Sequence, residues 1–345
     1  MARGDGRSDA KHPRRAARAM THAARPASRM LAQSLVAGTG TQIRAVLLYG
    51  SQLFGAAPDQ YSAHDLVVVV EAYLGTYREL RSHGFSHRPP RLMASLAWVL
   101  PPSVIAFSPE GADGPIAKCL IISARDFERE LSTRSRDHFM ISRMIQEVGV
   151  LYMRDGATAR WLDGVLEAAR RTVLDWAAPY VPAPFGAESL TREMIAICYG
   201  AEIRPESGSR ASSVFEAQRS YLVETYEKLL AEACSEGTVV REENGYRCAS
   251  QPGPMARLRR SAYFTYSKLR VTLRWVKHML TFENWLPYLV RKVERRTGMR
   301  VELTPLQMRL PLLFLWPHLL RVLRNRPADE AGSGPKLPPE SESDT

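Results

Sequence analysis

The sequence predicts an α+β protein in which a mixed β-sheet domain is followed by helices. Two runs rich in valine and leucine, near residues 44–49 and 65–71, have the length and composition of buried strands. Between residues 73 and 131, two further apolar runs alternate with helical patterns, which is typical of an α/β or α+β domain. From residue 157 onward, apolar residues recur at intervals of three and four, which indicates amphipathic helices.

These patterns divide the chain into five parts. They are a disordered basic tail (1–38), a mixed-sheet domain (39–155), a helical domain (156–250), a basic amphipathic helical region (251–326) and a second disordered tail (327–345). In the helical domain, two short runs flank Asn244-Gly245, a dipeptide that favours a tight hairpin turn. Helices combined with one hairpin are typical of a winged-helix-like module. The length of 345 residues allows about two domains.

The charge of the chain favours anionic partners. Its 47 Lys and Arg residues outnumber 36 Asp and Glu residues, which gives a net charge of +11. Four cysteines (Cys119, Cys198, Cys234, Cys248) are scattered without C-x-x-C spacing, so we expect neither zinc nor disulfides but a reducing compartment. No apolar run reaches the roughly 18 residues of a spanning helix. We therefore expect a cytoplasmic protein, peripheral on the inner face of the membrane.

The chemistry-bearing stretch joins the first two predicted strands. The first strand ends in Tyr49-Gly50-Ser51, and Asp65 heads the second. A glycine lets a backbone turn approach a ligand closely, and backbone N–H groups with a serine hydroxyl can hold phosphate oxygens. A carboxylate beside them can hold the metal ion that accompanies a triphosphate. The pattern is typical of the start of a nucleotidyltransferase domain.

The same stretch also has an ordinary structural interpretation. A Gly-Ser turn after a strand is common, and Asp65 before a valine run is also explained as the cap of a buried strand. Many nucleotidyltransferases have Asp-x-Asp at this point, whereas here the first of those positions is Ala63. The sequence alone leaves both interpretations open.

Five short motifs then follow one another between residues 44 and 235. They are Tyr49-Gly50-Ser51-Gln52-Leu53-Phe54; Asp65-Leu66-Val67-Val68; Phe107-Ser108-Pro109 with Lys118-Cys119-Leu120-Ile121-Ile122-Ser123; Arg143-Met144-Ile145-Gln146; and Cys198-Tyr199-Gly200-Ala201-Glu202-Ile203-Arg204. Their order resembles that of the mitochondrial-type phosphatidate cytidylyltransferases, peripheral membrane enzymes with a nucleotidyltransferase fold that make CDP-diacylglycerol. That family also has a single Asp before its second strand.

The chain departs from the family at several positions. Gln52 replaces a glycine in the phosphate turn, Cys119-Leu120 replaces Tyr-Gly, and Glu147 stands where the family has Lys. The histidine-bearing loop of the family corresponds to either His83 or His87. The chain is therefore similar to a divergent, bacterial-type relative.

The resemblance implies transfer of a cytidylyl group from CTP to phosphatidic acid, with Mg²⁺ as cofactor and pyrophosphate as the leaving group. The residues it implies are Asp65 and Glu202 as metal ligands, Lys118 as a catalytic cation, and Tyr49, Gly50, Ser51 and Arg204 as the phosphate-binding set. Each has an ordinary structural alternative: Lys118 as an exposed strand lysine, and Glu202 as the ion-pair partner of Arg204.

The C-terminal region predicts contact with an anionic membrane. Between residues 255 and 296, eleven Lys and Arg residues interleave with aromatic residues, and the acidic residues are Glu283 and Glu294. Such a basic helix with an aromatic stripe lies in a bilayer interface, where each cation contributes about 1 kcal/mol. The alternative is a helix packed on the core with a solvated basic face.

Two rival functions use the same residues. One is a nucleotidyltransferase acting on a soluble small molecule or on RNA, for which the basic C-terminal region would bind nucleic acid. The other is a non-catalytic, nucleotide-binding membrane adaptor, which the small number of carboxylates favours.

Overall fold

The computed structural model describes residues 26–54, 63–110, 114–201 and 209–282. Its N-terminal part contains α1 (Pro26–Thr39), β1 (Ile43–Tyr49), α2 (Ser51–Phe54), β2 (His64–Val70), α3 (Tyr73–Ser82), α4 (Pro90–Val99), β3 (Ser103–Phe107), β4 (Ala117–Ser123), α5 (Ala124–Glu130), α6 (Ile141–Met144) and β5 (Gly149–Met153). Its C-terminal part contains α7 (Gly156–Arg171), α8 (Val173–Trp176), α9 (Ala187–Gly200), α10 (Ser209–Ala217), α11 (Arg219–Ser235), β6 (Val239–Glu242), β7 (Gly245–Cys248) and α12 (Pro254–Thr281).

Five strands form one mixed sheet in the order β3-β4-β2-β1-β5. β2 and β4 are parallel, whereas the β1–β2, β1–β5 and β3–β4 pairs are antiparallel. The α+β class and the mixed sheet predicted from the sequence are confirmed. The sequence patterns predicted neither β5 nor α4.

Each face of the sheet is covered by helices, which explains why its central strands read as nearly continuous apolar runs. Alternate residues of β1 and β2, such as Leu47 and Val67, pack with α5, α7 and the helices that follow. Their neighbours, such as Leu48 and Val68, pack with α1, α3 and α4. The period-two alternation of a strand therefore decides which layer each side chain faces.

The expectation that residues 1–38 are disordered is wrong for residues 26–38, which belong to α1. Leu31 and Leu35 lie four apart on one face of this helix and are completely buried in the core under α3 and β1. Burial of this apolar face outweighs the absence of a strong helix-start signal. Residues 1–25 lie outside the described part of the chain.

Ser123-Ala124-Arg125-Asp126 has the spacing of a capping box, which predicts the start of a helix. The structure confirms it: Ser123 at the end of β4 accepts a hydrogen bond of 3.2 Å from the backbone N–H of Asp126, and α5 begins there. The helical periodicity from residue 157 onward continues through residues 210–234, but the helix is interrupted at Gln218, whose buried side chain bonds to residues before β5. A local propensity pattern does not contain that long-range contact.

The C-terminal helices pack around a small hairpin. α9 contacts both α10 and α11, and β6 pairs with β7 as the Asn244-Gly245 turn predicts. The bridge between Phe185 and Tyr246 attaches this hairpin to the segment before α9. The winged-helix interpretation of this region stays a prediction. The expectations for residues 283–345 lie outside the described residues, and within the described ranges no helix has the length and apolarity to cross a bilayer.

Candidate functional site

The site predicted from the sequence is built around a tight turn at the end of β1. Gly50 has φ of +80°, a conformation that favours glycine, and its carbonyl accepts a 2.9 Å bond from Leu53 at the end of α2. A Cβ built on Gly50 would lie 3.3 Å from Oδ2 of Asp65. The carboxylate of Asp65 therefore lies directly against the bare backbone of the turn.

Strand register places three of the predicted residues in one row. Asp65 pairs with Tyr49 across the β1–β2 ladder and with Lys118 across the β2–β4 ladder. Neighbouring strands lie about 4.8 Å apart, so these three positions follow one another across the end of the sheet. The sequence alone could not predict this row, because β4 pairs with β2 although more than 45 residues separate the two strands.

The three side chains also share one face of the sheet. Tyr49 packs against the core that contains Val67 and Leu120, and Asp65 and Lys118 are two residues before those positions. Because side chains alternate along a strand, Asp65 and Lys118 are on this same face. Both are half-buried. The carboxylate of Asp65 and the ammonium of Lys118 are thus carried on one face of the sheet, on neighbouring strands.

Glu202 and Arg204 lie outside the described residues. The helix that precedes them, α9, ends at Gly200, and Cys198 in its last turn is buried in the core shared with Val67 and Leu120. Cys198 Sγ lies 3.8 Å from Nε2 of the buried His138. The roles implied for Glu202 and Arg204 stay predictions.

Of the two candidate histidines, His83 is on the other side of the sheet. His83 ends α3, lies 3.0 Å from the carbonyl of Glu79 through Nδ1 and stacks on Phe85. Phe85 in turn contacts Phe107, which belongs to the core on the face opposite Asp65. His87 is exposed in the loop that follows. The residues described here do not bring either histidine to the row of Tyr49, Asp65 and Lys118.

Glu147 precedes β5, the strand that pairs with β1. Gly149, the first residue of β5, pairs with Leu48 of β1. Glu147 is two residues before Gly149, and Gly50 is two residues after Leu48. The backbone N–H of Glu147 donates a 3.1 Å bond to Gln218. Burial raises the pKa of Glu147. The sequence indicated Glu147 only as a departure from the family pattern, because the pairing of β5 with β1 is a tertiary feature.

Gln52 is the other departure in the turn, and its side chain is buried. It stands in α2, two residues after Gly50, and the helix also packs Leu53 against the start of β5. Relative to a glycine, Gln52 therefore adds a buried side chain to the short helix that follows the turn.

The donor set fits a hard cation that retains water or phosphate ligands. Among the residues that the structure describes, no three His, Cys, Asp or Glu side chains gather into a metal-binding group. Mg²⁺ is commonly held by one or two carboxylates together with substrate phosphates, so Asp65 with the Ser51 hydroxyl is compatible with it. Zn²⁺ in a structural site would need four ligands and is not compatible.

The structure also contains a buried cationic cluster that the sequence patterns did not indicate. Arg274 and Lys277 of α12 are almost fully buried, and Arg274 bonds to Asp137 at 2.7 Å. Burial lowers the pKa of Lys277, and the neighbouring Arg274 lowers it further. Burial raises the pKa of Asp137, but Arg274 and Arg270 together hold it below its usual range.

Compared with known protein families, the sequence gives no match, and compared with curated proteins it gives none of statistical significance.

Proposed function

We propose that this chain is a nucleotidyltransferase that transfers a cytidylyl group from CTP to phosphatidic acid, giving CDP-diacylglycerol and pyrophosphate. The observation that carries the proposal is the contact of the Asp65 carboxylate with the Gly50 backbone. It supports a site in which one anion-binding turn and one metal-binding carboxylate face the same small space. A strand cap alone does not require a left-handed glycine beside the carboxylate.

Each residue of the row has a role in this proposal. Ser51 and the backbone after Gly50 bind phosphate oxygens of CTP, and Lys118 neutralises their charge as a compact cation. Asp65 holds Mg²⁺, which when bound offsets the charge that two anionic substrates bring together. Tyr49, the cross-strand neighbour of Asp65, belongs with Gly50 and Ser51 to the proposed phosphate-binding set. Glu202 and Arg204 complete the proposed set as a second metal ligand and a phosphate ligand.

The surface of α12 supports a lipid acceptor rather than a soluble one. Residues 254–282 contain no acidic residue, and a row of apolar side chains along α12 is exposed. Basic helices with an exposed apolar face bind anionic bilayers. This is the feature that separates the proposal from a nucleotidyltransferase with a soluble acceptor.

The test is to incubate the purified protein with radiolabelled CTP, Mg²⁺ and phosphatidic acid vesicles and to assay for a liponucleotide. Asp65→Asn and Ser51→Ala are expected to abolish turnover; losing a metal contact worth about 4 kcal/mol lowers the rate roughly a thousandfold. Glu71→Gln is the matched control, because Glu71 follows the other end of β2 and pairs with the exposed Arg154.

The rival functions give different outcomes in the same assay. Label transferred to RNA or to a small molecule, with none in lipid, would identify a soluble acceptor. Binding of CTP without release of pyrophosphate would identify a non-catalytic adaptor. Unchanged turnover in Asp65→Asn would remove this row of residues as the site.

A further inference from the structure

Helix α12 is inverted relative to an ordinary surface helix, since it buries cations and exposes apolar side chains. Its buried face includes Val271, Arg274 and Lys277. A neighbouring face carries seven side chains, separated by three, four or eight residues and each between 47% and 69% exposed: Met255, Leu258, Tyr266, Leu269, Leu273, Val276 and Leu280. At 100° per residue these fall within an arc of about 80°. We call this row the α12 stripe.

A second exposed apolar surface lies at the end of α4. Leu92, Trp98 and Val99 are 50%, 72% and 61% exposed, whereas Met93 and Ala97 on the other side of the helix are buried. Trp98 and Val99 directly precede Leu100, the residue at which α4 ends. We call these three residues the α4 patch.

Buried polar contacts attach the segment that follows the α4 patch to α12. The Lys277 ammonium donates to the carbonyl of Leu100, to the carbonyl of Pro102 at 2.6 Å and to Ser103 Oγ at 3.2 Å. Arg274 donates to the carbonyl of Pro101 at 2.7 Å. Lys277 borders the stripe, immediately after Val276. The segment that follows Val99 is therefore held at the edge of the stripe.

We propose that the α4 patch and the α12 stripe form one membrane-docking surface that binds a bilayer containing anionic lipid. The proposal deepens the proposed function, on which it rests for the nature of the acceptor. It adds α4, which the basic composition of the C-terminal region does not indicate, as a second contact. Two contacts held in fixed relation orient the sheet on the bilayer, whereas one helix alone leaves the protein free to rotate about it.

Charge decides between a bilayer and the other possible occupants. Residues 80–109 and 254–282 contain no acidic residue, and exposed arginines such as Arg88, Arg91 and Arg257 border the two surfaces. A second copy of the chain would bring like charges together. The chain's own segment 283–326 has nine Lys and Arg residues against three Glu residues, so it repels the surface as well.

The aliphatic character of the surface favours lipid over nucleic acid. Leucine and valine side chains gain by transfer from water into hydrocarbon but offer nothing to a phosphodiester backbone. Tryptophan is enriched at membrane–water interfaces, where its amphipathic ring is accommodated. An anionic bilayer satisfies both the apolar rows and their basic borders.

The experiment measures flotation of the full-length protein with phosphatidic acid vesicles, without nucleotide. The double variant Trp98→Ser, Val99→Ser is expected to lose at least tenfold in partitioning, with an unchanged melting temperature because both side chains are exposed. Val240→Ser, an exposed valine in the β6–β7 hairpin, is the matched control and should bind normally. Unchanged partitioning of the double variant would overturn the proposal.

A second measurement follows the position of Trp98 itself. Brominated acyl chains should quench less of the tryptophan fluorescence in Trp98→Phe than in the unmodified protein, while Trp98→Phe still binds vesicles. Equal quenching would place Trp98 outside the bilayer. A third outcome would also overturn the proposal. In it, the unmodified protein does not bind vesicles but binds RNA or dimerises, and the double variant abolishes that association. Turnover in Asp65→Asn tests the nucleotide site separately.

Discussion

At the scale of single residues, the site depends on one glycine and one carboxylate. The left-handed conformation of Gly50 and its contact with Asp65 are two separate constraints on the same position. The first follows from the turn and the second from the register of β2 against β1. A substitution at this glycine therefore tests both the turn and the proposed function.

Gly50→Ala is expected to destabilise the protein by about 1–2 kcal/mol through its positive φ, and to reduce turnover at least tenfold because the new methyl group displaces the Asp65 carboxylate. Gly84→Ala is the control, since Gly84 has φ of +74° but no atom within 4 Å of the position of its Cβ. The measurements are urea denaturation and liponucleotide synthesis. Equal turnover in the two variants would contradict a role for the Gly50–Asp65 contact.

His278 gives a prediction about pH. Burial lowers the pKa of this histidine, and Lys277 and Arg274 lower it further. As the pH falls below the usual value of about 6.5, the unfolded chain binds a proton before the folded protein does. The free energy of unfolding should therefore decrease from pH 6.5 down to the folded-state pKa of His278.

The measurement is urea denaturation of the unmodified protein and of His278→Phe at pH 7 and pH 5. Phenylalanine keeps an aromatic ring beside Phe139 but cannot bind a proton, so the loss of stability between the two pH values should be smaller. An identical loss in His278→Phe would show that His278 does not contribute.

At the scale of elements, α12 is held to the sheet domain by ionic contacts in addition to apolar ones such as that of the buried Val271. Asp137 accepts hydrogen bonds from Arg270 at 2.9 Å and from Arg274 at 2.7 Å, and both of its partners belong to this helix. Ser267 of the same helix accepts a bond from the backbone of His138. This attachment leaves the apolar side chains of the α12 stripe exposed.

Asp137→Asn is expected to destabilise the protein by about 3–5 kcal/mol, because it leaves the buried Arg274 without a counter-ion. Glu242→Gln, which removes the exposed partner of Arg247, should change stability by less than about 1 kcal/mol. Urea denaturation compares the two variants. A similar small effect of both substitutions would mean that Arg274 is solvated rather than buried.

At the scale of the whole molecule, the proposed site and the proposed membrane contact are at different ends of β3. Ala106 near one end of β3 pairs with Lys118 of the site row, and Ser103 at the other end bonds to Lys277 of α12. The segment from Leu100 to Ala106 spans roughly 20 Å when extended. For a lipid phosphate to reach the site, the strands must lie nearly parallel to the bilayer surface.

Binding of CTP with Mg²⁺ should stabilise the whole fold, because the proposed ligands come from β1, β2 and β4 in the centre of the sheet. At one hundred times the dissociation constant, the gain is about 2.7 kcal/mol, which raises the melting temperature by about 5–10 °C. Thermal denaturation with and without CTP and Mg²⁺ measures it. Asp65→Asn should remove the shift and Glu71→Gln should retain it; a shift that persists in Asp65→Asn would place the nucleotide elsewhere.

The sequence by itself determined the features that depend on neighbouring residues. The apolar runs of β1, β2 and β4, the Gly50-Ser51 turn, the Ser123 cap and the Gly245 hairpin all follow from the preferences of a few consecutive residues. The charge of residues 254–282 is likewise a property of the composition. These features predicted the fold class and the residues of the candidate site.

Only the tertiary structure decided which of these features meet. The parallel pairing of β2 with β4 brings Lys118 beside Asp65, and β5 pairs with β1. The inverted face of α12 depends on Asp137, which precedes Arg274 by 137 residues. The physical reason is that the buried face of a helix and the register of a strand are chosen by distant partners, which no local pattern contains.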